Sequence, residues 1–386
     1  MTNTDLAYVT PRLLLWARER RGLRVDNISH SLGVGEEQLA AWEQGSSHPP
    51  FNKALQLASI LRVPFGYLFL PEPPPIDIPI PDLRTFDDKE SREPSVDFLE
   101  LLQEVMAKQE WYKDYAIEHG AKELPFVASC TTRNKVVDVA ADIRTTLAMN
   151  NGFRSKARNK ADFLRLFAGS AEDAGILVMR SGVVGNNTHR PLSCNEFQGF
   201  AITDKIAPLV FVNARDFKSA QIFTLAHEIA HIWIGKSGIS KADETEIPVP
   251  RENVESFSNA VAAETLVPQA EFLRLWREPA DDRLIQRLSR QFFVSTLVIL
   301  RRARELDLIS LQRFIILLEQ ERNNLQNQPT PAGGGDYYRN VTARHGSKLT
   351  EAVVQDVRQG STGFRDAARL LDMKVPALEK LVDRHQ

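Results

Sequence analysis

Cysteine is nearly absent: the 386 residues hold two, Cys130 and Cys194, far apart and in no CxxC pair. A disulfide framework is therefore excluded, and reduced thiols in a cytosol are the default expectation. No run approaches the roughly 18 apolar residues that a bilayer-spanning helix needs, so no membrane segment is expected. The first residues, MTNTDLAYVTPRLLLWARER, have no long apolar core ahead of their arginines, so no secretory leader is expected and the chain reads as cytoplasmic. An excess of one charge is missing too: 48 Lys and Arg against 50 Asp and Glu leave a formal net charge of -2. No global field draws the chain to nucleic acid or a membrane, and any such binding must be local. Solenoid-type repeats are absent. What is present, 43% hydrophobic and 25% charged residues, is the composition of a globular protein.

The length exceeds one ordinary core, and texture divides the chain. Residues 1–70 read as a compact helical domain. Residues 71–125 read as a Pro-rich linker followed by an acidic helical segment. The linker, PEPPPIDIPIPDLR, has six prolines over residues 71–84, which favour a semi-rigid spacer. From Ile76 to Pro125 there are 13 acids against 6 bases, read here as a solvated face, and Phe98, Leu101, Leu102, Val105 and Met106 recur at helix spacing. Residues 126–322 are mixed. Helices are expected over 134–149 and 160–173, strands in GILVMR (175–180), GFAIT (199–203) and PLVFVNA (208–214), and helices again from Ser219. A polar second linker is expected at 323–336, and a small helical module at 337–386.

The stretch TLAHEIAHIW, residues 224–233, places two histidines and a glutamate in an apolar run. A helix that is apolar on nearly all sides is buried, and buried ionisable groups must be paired or bound to a metal. At 3.6 residues per turn His227 and His231 lie one above the other, so both imidazoles can reach one ion. Glu228 sits about 100° round the helix, beside that ion rather than on the ligand face. This is the HExxH arrangement of zinc peptidases. One Zn2+ there lowers a water's pKa to roughly 7, and the glutamate takes its proton during attack on a carbonyl.

Such a site needs a third protein ligand. Downstream, ENVESFSNAVAAETLVP spans residues 252–268. Glu255 and Glu264 are nine residues apart, about half a turn out of phase, so both cannot face one ion. Glu255 is the choice made here. Asn259, one turn on and on the same face, is placed to hydrogen-bond a ligand histidine's other ring nitrogen.

QIFTLAHEIAHIW followed by ESFSNAVAAETLVP resembles the ImmA/IrrE family of zinc metallopeptidases, over roughly residues 134–275. The resemblance implies His227, His231 and Glu255 as metal ligands and Glu228 as the general base, in a gluzincin-like layout. Ser258 stands where the family has alanine. Several members cleave a repressor protein at one place; others show no demonstrated proteolysis. Genes of the family often lie beside toxin or prophage genes, which implies a repressor or toxin partner. The strands GFAIT and PLVFVNA are expected to supply an edge on which an extended peptide can pair. His189 is a guess for the group stabilising the tetrahedral intermediate, with a plain loop histidine the stronger reading.

Residues 26–45, DNISHSLGVGEEQLAAWEQG, read helix, short turn at Gly33, helix, packed by Ile28, Leu32, Val34, Leu39 and Trp42. With WEQG and the closing helices expected in FNKALQLASILRV and PFGYLFL, they resemble the Xre/lambda-repressor type of helix-turn-helix, whose second helix enters the major groove. That helix carries Glu36, Glu37 and Glu43 and no Lys or Arg. Candidate DNA contacts are therefore Arg18, Arg20, Arg21 and Arg24, from the first helix and its exit, with Gln38 on the second helix. Arg12 belongs to the same basic group. Domains of this type often pair, so a homodimer is compatible. At the C-terminus, TGFRDAARLLDMKVPALEKLVDR scans as two helices packed through Phe364, Ala367, Leu370, Leu371, Val375, Leu378 and Leu381, a small packing module.

The fold class expected is α+β, mostly helical: a helix-turn-helix bundle, a zincin-like helical domain with a small sheet, and a small helical C-terminal module. Two functions are carried forward. One is a zinc endopeptidase that cuts a regulatory protein and is coupled to a DNA- or partner-binding domain. The other is a non-catalytic transcriptional regulator or antitoxin-like binding protein with the peptidase fold as scaffold. An intact Glu228 favours the first, because a scaffold has no chemical need for a base there.

Overall fold

The computed structural model describes residues 5–74, 94–150, 152–240, 254–277, 281–326 and 337–384. Most of the first expected linker (from residue 75) and residues 327–336 of the second lie outside these. Residues 323–326, expected to open the second linker, instead end a helix. The architecture is α+β and mostly helical: 17 α-helices and one four-stranded sheet among the described residues. The chain forms two compact units, Met1–Pro79 with Glu90–Leu102, and Ile80–Lys89 with Gln103–Gln386.

In the first unit α1 (Pro11–Arg20) starts on proline, which lacks an N–H the first turn could not use anyway. α2 (Val25–Leu32) stops at Gly33, whose φ of 65° is left-handed backbone that glycine adopts at little cost, and α3 (Glu36–Gln44) follows after Gly35. Ile28, Leu32, Leu39 and Trp42 are buried together with Leu14, Leu57 and Leu61, and Val34 packs against them partly exposed. α4 (Phe51–Leu61) closes the bundle. The last expected helix, PFGYLFL, is only a five-residue 3-10 turn, Phe65–Phe69. Pro71, Pro73 and Pro74 follow at once, leaving no room to propagate a helix. α5 (Val96–Glu118) begins in this unit, where Asp97 pairs with Arg62. Its Phe98, Leu101, Leu102 and Val105 are buried as their spacing predicts.

The second unit is built round a sheet of β1 (Leu177–Ser181), β2 (Gly199–Ile202), β3 (Leu209–Asn213) and β4 (Gly238–Ser240), in the order β1-β3-β2-β4. β1 runs parallel to β3, with Leu177 opposite Leu209. β2 is antiparallel to both its neighbours, with Phe200 opposite Phe211 on one side and Ile239 on the other. The expected peptide-pairing edge is therefore not where the sequence suggested. β3 is interior and β2 is covered by β4, a strand of three residues that is too short to show alternation; the edges are β1 and β4.

α8 (Lys218–Ile234) lies against β2, β3 and α7 (Lys160–Asp173), and every residue from Gln221 to Ile234 is buried. α9 (Val254–Leu266) packs along α8, and α6 (Val136–Thr146) packs on α9. Trp233 joins these layers: its ring stacks on Phe126 and its indole N–H donates to Asp142 at 2.7 Å. Truncating such a side chain to alanine costs about 3–5 kcal/mol. α10 (Gln269–Leu275), α11 (Asp282–Phe292), α12 (Thr296–Glu305) and α13 (Leu311–Gln326) complete the core.

α14 (Tyr337–His345) packs on β1, and α15 (Ser347–Gln359), α16 (Phe364–Leu370) and α17 (Val375–Arg384) follow. Ala367, Leu371, Leu378 and Leu381 face inward as expected, but Phe364, in the first turn of α16, is 41% exposed. Glu172 of α7 anchors this module: its carboxylate accepts from the Ser347 hydroxyl and from the Lys348 N–H at 3.2 Å, filling the start of α15. Nearby, Lys108 donates to Asp372 at 2.6 Å, and His345 is buried 3.8 Å from the same carboxylate.

Burial first, and then the charges of Lys108 and Arg344, hold the His345 imidazole well below its ordinary value. In the unfolded chain it titrates near 6.5. The unfolded state therefore takes up a proton before the folded one, so this contribution to stability is whole above about pH 6.5 and is lost as pH falls below it. Denaturant midpoints measured from pH 8 to 5 should fall for the wild type and fall less for His345→Gln. Identical profiles would remove His345 as the cause.

Candidate metal centre

α8 leaves β3 through a turn held by Gln221, whose side-chain amide donates to the Ala214 carbonyl at 3.0 Å and the Asp216 carbonyl at 2.6 Å. That fixes which face of α8 meets the sheet. On the helix, His227, Glu228 and His231 are all fully buried. The two imidazoles stand one turn apart with Nε2 facing Nε2 at 3.0 Å. From α9, Glu255 meets both: Oε2 lies 3.2 Å from His227 Nε2 and Oε1 lies 3.1 Å from His231 Nε2.

The tautomer of His227 follows from its other nitrogen. Nδ1 lies 2.9 Å from the Asn259 side-chain oxygen, which can only accept. Nδ1 therefore carries the proton, and in the neutral ring Nε2 presents a lone pair to the centre. Tetrahedral bonds of about 2.0–2.1 Å to one zinc would set two nitrogens about 3.3 Å apart, close to the separation seen. The ligating atoms of His227, His231 and Glu255 lie within 4.8 Å of one another, a group able to hold a metal ion. Two nitrogens and a carboxylate suit a borderline transition-metal cation better than calcium or magnesium.

The electrostatics agree. Burial pushes the His231 imidazole below its ordinary value, and the neighbouring His227 adds to this. Burial acts the same way on His227, but the Glu255 carboxylate outweighs it and carries the ring above its ordinary value. Burial also opposes ionisation of Glu255, yet the two rings hold its carboxyl far below the usual carboxylate range. Glu255 is thus an anion across the physiological range.

Glu264 is turned to other work, pairing with Arg302 and accepting from the Gln269 N–H at 3.1 Å. Ser258 is fully buried, and its hydroxyl has no hydrogen-bond partner among the described residues. His189 is exposed in a loop, with its N–H on the Asn187 side chain at 3.0 Å.

One neighbour of Glu228 went unread in the sequence. Gly199 opens β2 directly beneath α8. A Cβ there would stand 2.6 Å from Thr224 Cγ2, 2.8 Å from the Phe211 carbonyl oxygen and 3.1 Å from Glu228 Oε1. Only a residue without a side chain lets the sheet approach so closely. A glycine at the start of the strand pattern GFAIT was the available signal.

In the first unit, Arg18 is held by Glu43 through two hydrogen bonds, at 2.7 and 3.1 Å, that tie α1 to α3. Arg20 lies 5.2 Å over the Trp16 ring, and Arg21 donates to the Ile60 carbonyl at 3.1 Å. Arg24 and Gln38 are exposed.

Comparison with known families gives three matches. Residues 14–68 match the helix-turn-helix model, residues 171–304 match the IrrE N-terminal-like domain of the M78 peptidases, and residues 346–384 match a domain of unknown function (DUF8813). Comparison with curated proteins gives no match. No described helix is long and apolar enough to cross a membrane. The chain thus joins an N-terminal segment that matches the helix-turn-helix model to one that matches the IrrE N-terminal-like domain, an arrangement that fits a regulator with a peptidase-like domain.

Proposed function

We propose that the protein is a cytoplasmic zinc endopeptidase that cleaves a regulatory protein of repressor type and is coupled to a DNA-binding helix-turn-helix. The observation that supports this best is the convergence of the buried His227 and His231 with the half-buried Glu255, with buried Glu228 on the same helix as the rings. His227 and His231 would hold the ion through Nε2 and Glu255 through its carboxylate. Zinc supplies Lewis acidity, which brings the pKa of a water near 7 and polarises a carbonyl. Asn259 keeps His227 in the tautomer that offers Nε2. Glu228 takes the water's proton on a carboxylate oxygen as the carbonyl is attacked, and delivers it to the departing amine. Gly199, having no side chain, leaves the space beside Glu228 Oε1 that a Cβ would crowd at 3.1 Å. The scaffold alternative keeps the ligands but needs no proton acceptor, and Glu228 separates the two.

For DNA, the Arg18–Glu43 pair matters twice. It removes one basic contact, and it neutralises one of the three acids on α3, so that Gln38 and the exposed Arg24, itself paired with Asp26 at 3.2 Å on the surface, remain to face a duplex.

Purified protein should carry about one equivalent of zinc by elemental analysis; less than about half an equivalent of any divalent metal counts against the centre. Glu228→Gln should keep the metal and slow cleavage about 10^2- to 10^4-fold. In a proteomic comparison of cells with either form, one fragment should appear only with the wild type; a phenotype that survives the substitution rules out the hydrolase. Gly199→Ala should cost about 1–3 kcal/mol in denaturant melts and depress cleavage while zinc is retained. A variant as stable and active as wild type removes the steric argument. For DNA, Arg24→Ala should weaken binding evenly across sequences and reduce the salt slope by about one, whereas Gln38→Ala should alter sequence preference. Anisotropy titrations at two salt concentrations check this; no salt-dependent binding to any selected duplex would discard the DNA role.

A further inference from the structure

A second feature of the larger unit lies apart from the metal centre. A cavity of about 810 Å³ opens between α6, residues 149–150 and 152–157, the α9–α10 junction and α11. Four arginines line it, Arg144, Arg154, Arg274 and Arg290, against a single acid, Glu271. That acid is already engaged: both its oxygens accept from Arg154 Nη1, at 2.8 and 2.7 Å. Arg154 is fixed further by donating to the Leu266 carbonyl at 3.3 Å and lying 4.8 Å over the Phe292 ring. It is part of the wall. Arg144, Arg274 and Arg290 have no carboxylate partner among the described residues.

Half-buried Arg144 and exposed Arg274 and Arg290 therefore offer three guanidinium groups to one cavity, a concentration of positive charge that favours an anion there. Burial, and then the charge of Arg154, push the Arg144 guanidinium down from its ordinary value, with the Glu271 carboxylate opposing them. Four arginines less one glutamate leave a lining charge of +3, more than one carboxylate would offset and suited to a phosphate group. Guanidinium forks match phosphate oxygens two at a time. The remaining wall mixes apolar Met149, Phe153 and Phe293 with polar Asn150, Ser155, Thr265 and Gln291. The volume is that of a site for a small molecule rather than a bare ion.

We propose that this cavity binds a small organic phosphate, with the phosphate between Arg144, Arg274 and Arg290 and the organic part against Met149, Phe153 and Phe293. The proposal does not rest on the peptidase reading, since none of these residues belongs to the metal centre.

Calorimetric titration of the full chain, in a buffer free of phosphate, tests it with three probes: AMP, inorganic phosphate and adenosine. AMP should bind with a Kd below about 1 mM, at least about tenfold tighter than inorganic phosphate, and adenosine should not bind measurably. Raising the salt should weaken AMP binding. Arg274→Gln with Arg290→Gln, both exposed side chains whose loss should leave the fold intact, should weaken AMP about tenfold or more without changing zinc content or the melting temperature. Arg144→Gln should do the same at the inner wall. AMP and phosphate both silent at about 5 mM would overturn the site, as would AMP binding that survives the double substitution. Inorganic phosphate binding as tightly as AMP would overturn the organic ligand.

Discussion

The second unit depends on one electrostatic constraint: two imidazoles and a carboxylate lie inside an otherwise apolar core. His227 and His231 are fully buried, with Nε2 atoms 3.0 Å apart. A charge or lone pair in that setting must be answered locally, because burial takes the rings out of bulk solvent. Glu255 answers from α9, and Asn259 fixes one ring from the same helix. The close packing of α9 on α8 is therefore electrostatic in origin as well as hydrophobic. The sheet, α6 and α7 then shield the pair, and Gly199 lets β2 come near enough to do so.

Much of this was legible because it is local. HExxH needs only the period of a helix to place both rings on one face, and the phase difference between Glu255 and Glu264 separates two acids that composition alone would confuse. The helix-turn-helix was legible for the same reason: Gly33 marks the turn, and Ile28, Leu32, Leu39 and Trp42 keep one face. What was not legible is what depends on partners distant in sequence. The sheet order turned on β4, three residues without a pattern of their own. The significance of Gly199 appears only once β2 is known to run beneath α8. Nothing in the spacing of Arg18 and Glu43, 25 residues apart, announces that they meet. The arginines of the cavity come from four separate segments, and their shared charge exists only in the folded chain.

The first unit shows how an internal contact can redirect a charge pattern. Counting charges on α3 makes it look hostile to phosphate. Yet Glu43 is turned back to Arg18, with side chains 9% and 17% exposed, so its charge is largely answered within the domain. The same contact removes Arg18 from the outward-facing bases. A net count over the segment is unchanged by the pair, but the field seen from outside is not.

The end of α8 carries a further implication. The last carbonyls of a helix lack partners within it. Here the Ala128 N–H donates to the Ile232 carbonyl and the Cys130 N–H to the Trp233 carbonyl, each at 3.0 Å, while Asp142 receives the Trp233 indole. These donors come from some hundred residues upstream, ahead of the stretch 171–304 that defines the family match. A fragment trimmed to that match would keep the Gly235 and Lys236 donors on the His231 and Ile232 carbonyls but would lose the donor to the Trp233 carbonyl, the stacking partner of the Trp233 ring and α6 behind α9. The smallest self-sufficient piece of this core must reach back at least to Phe126.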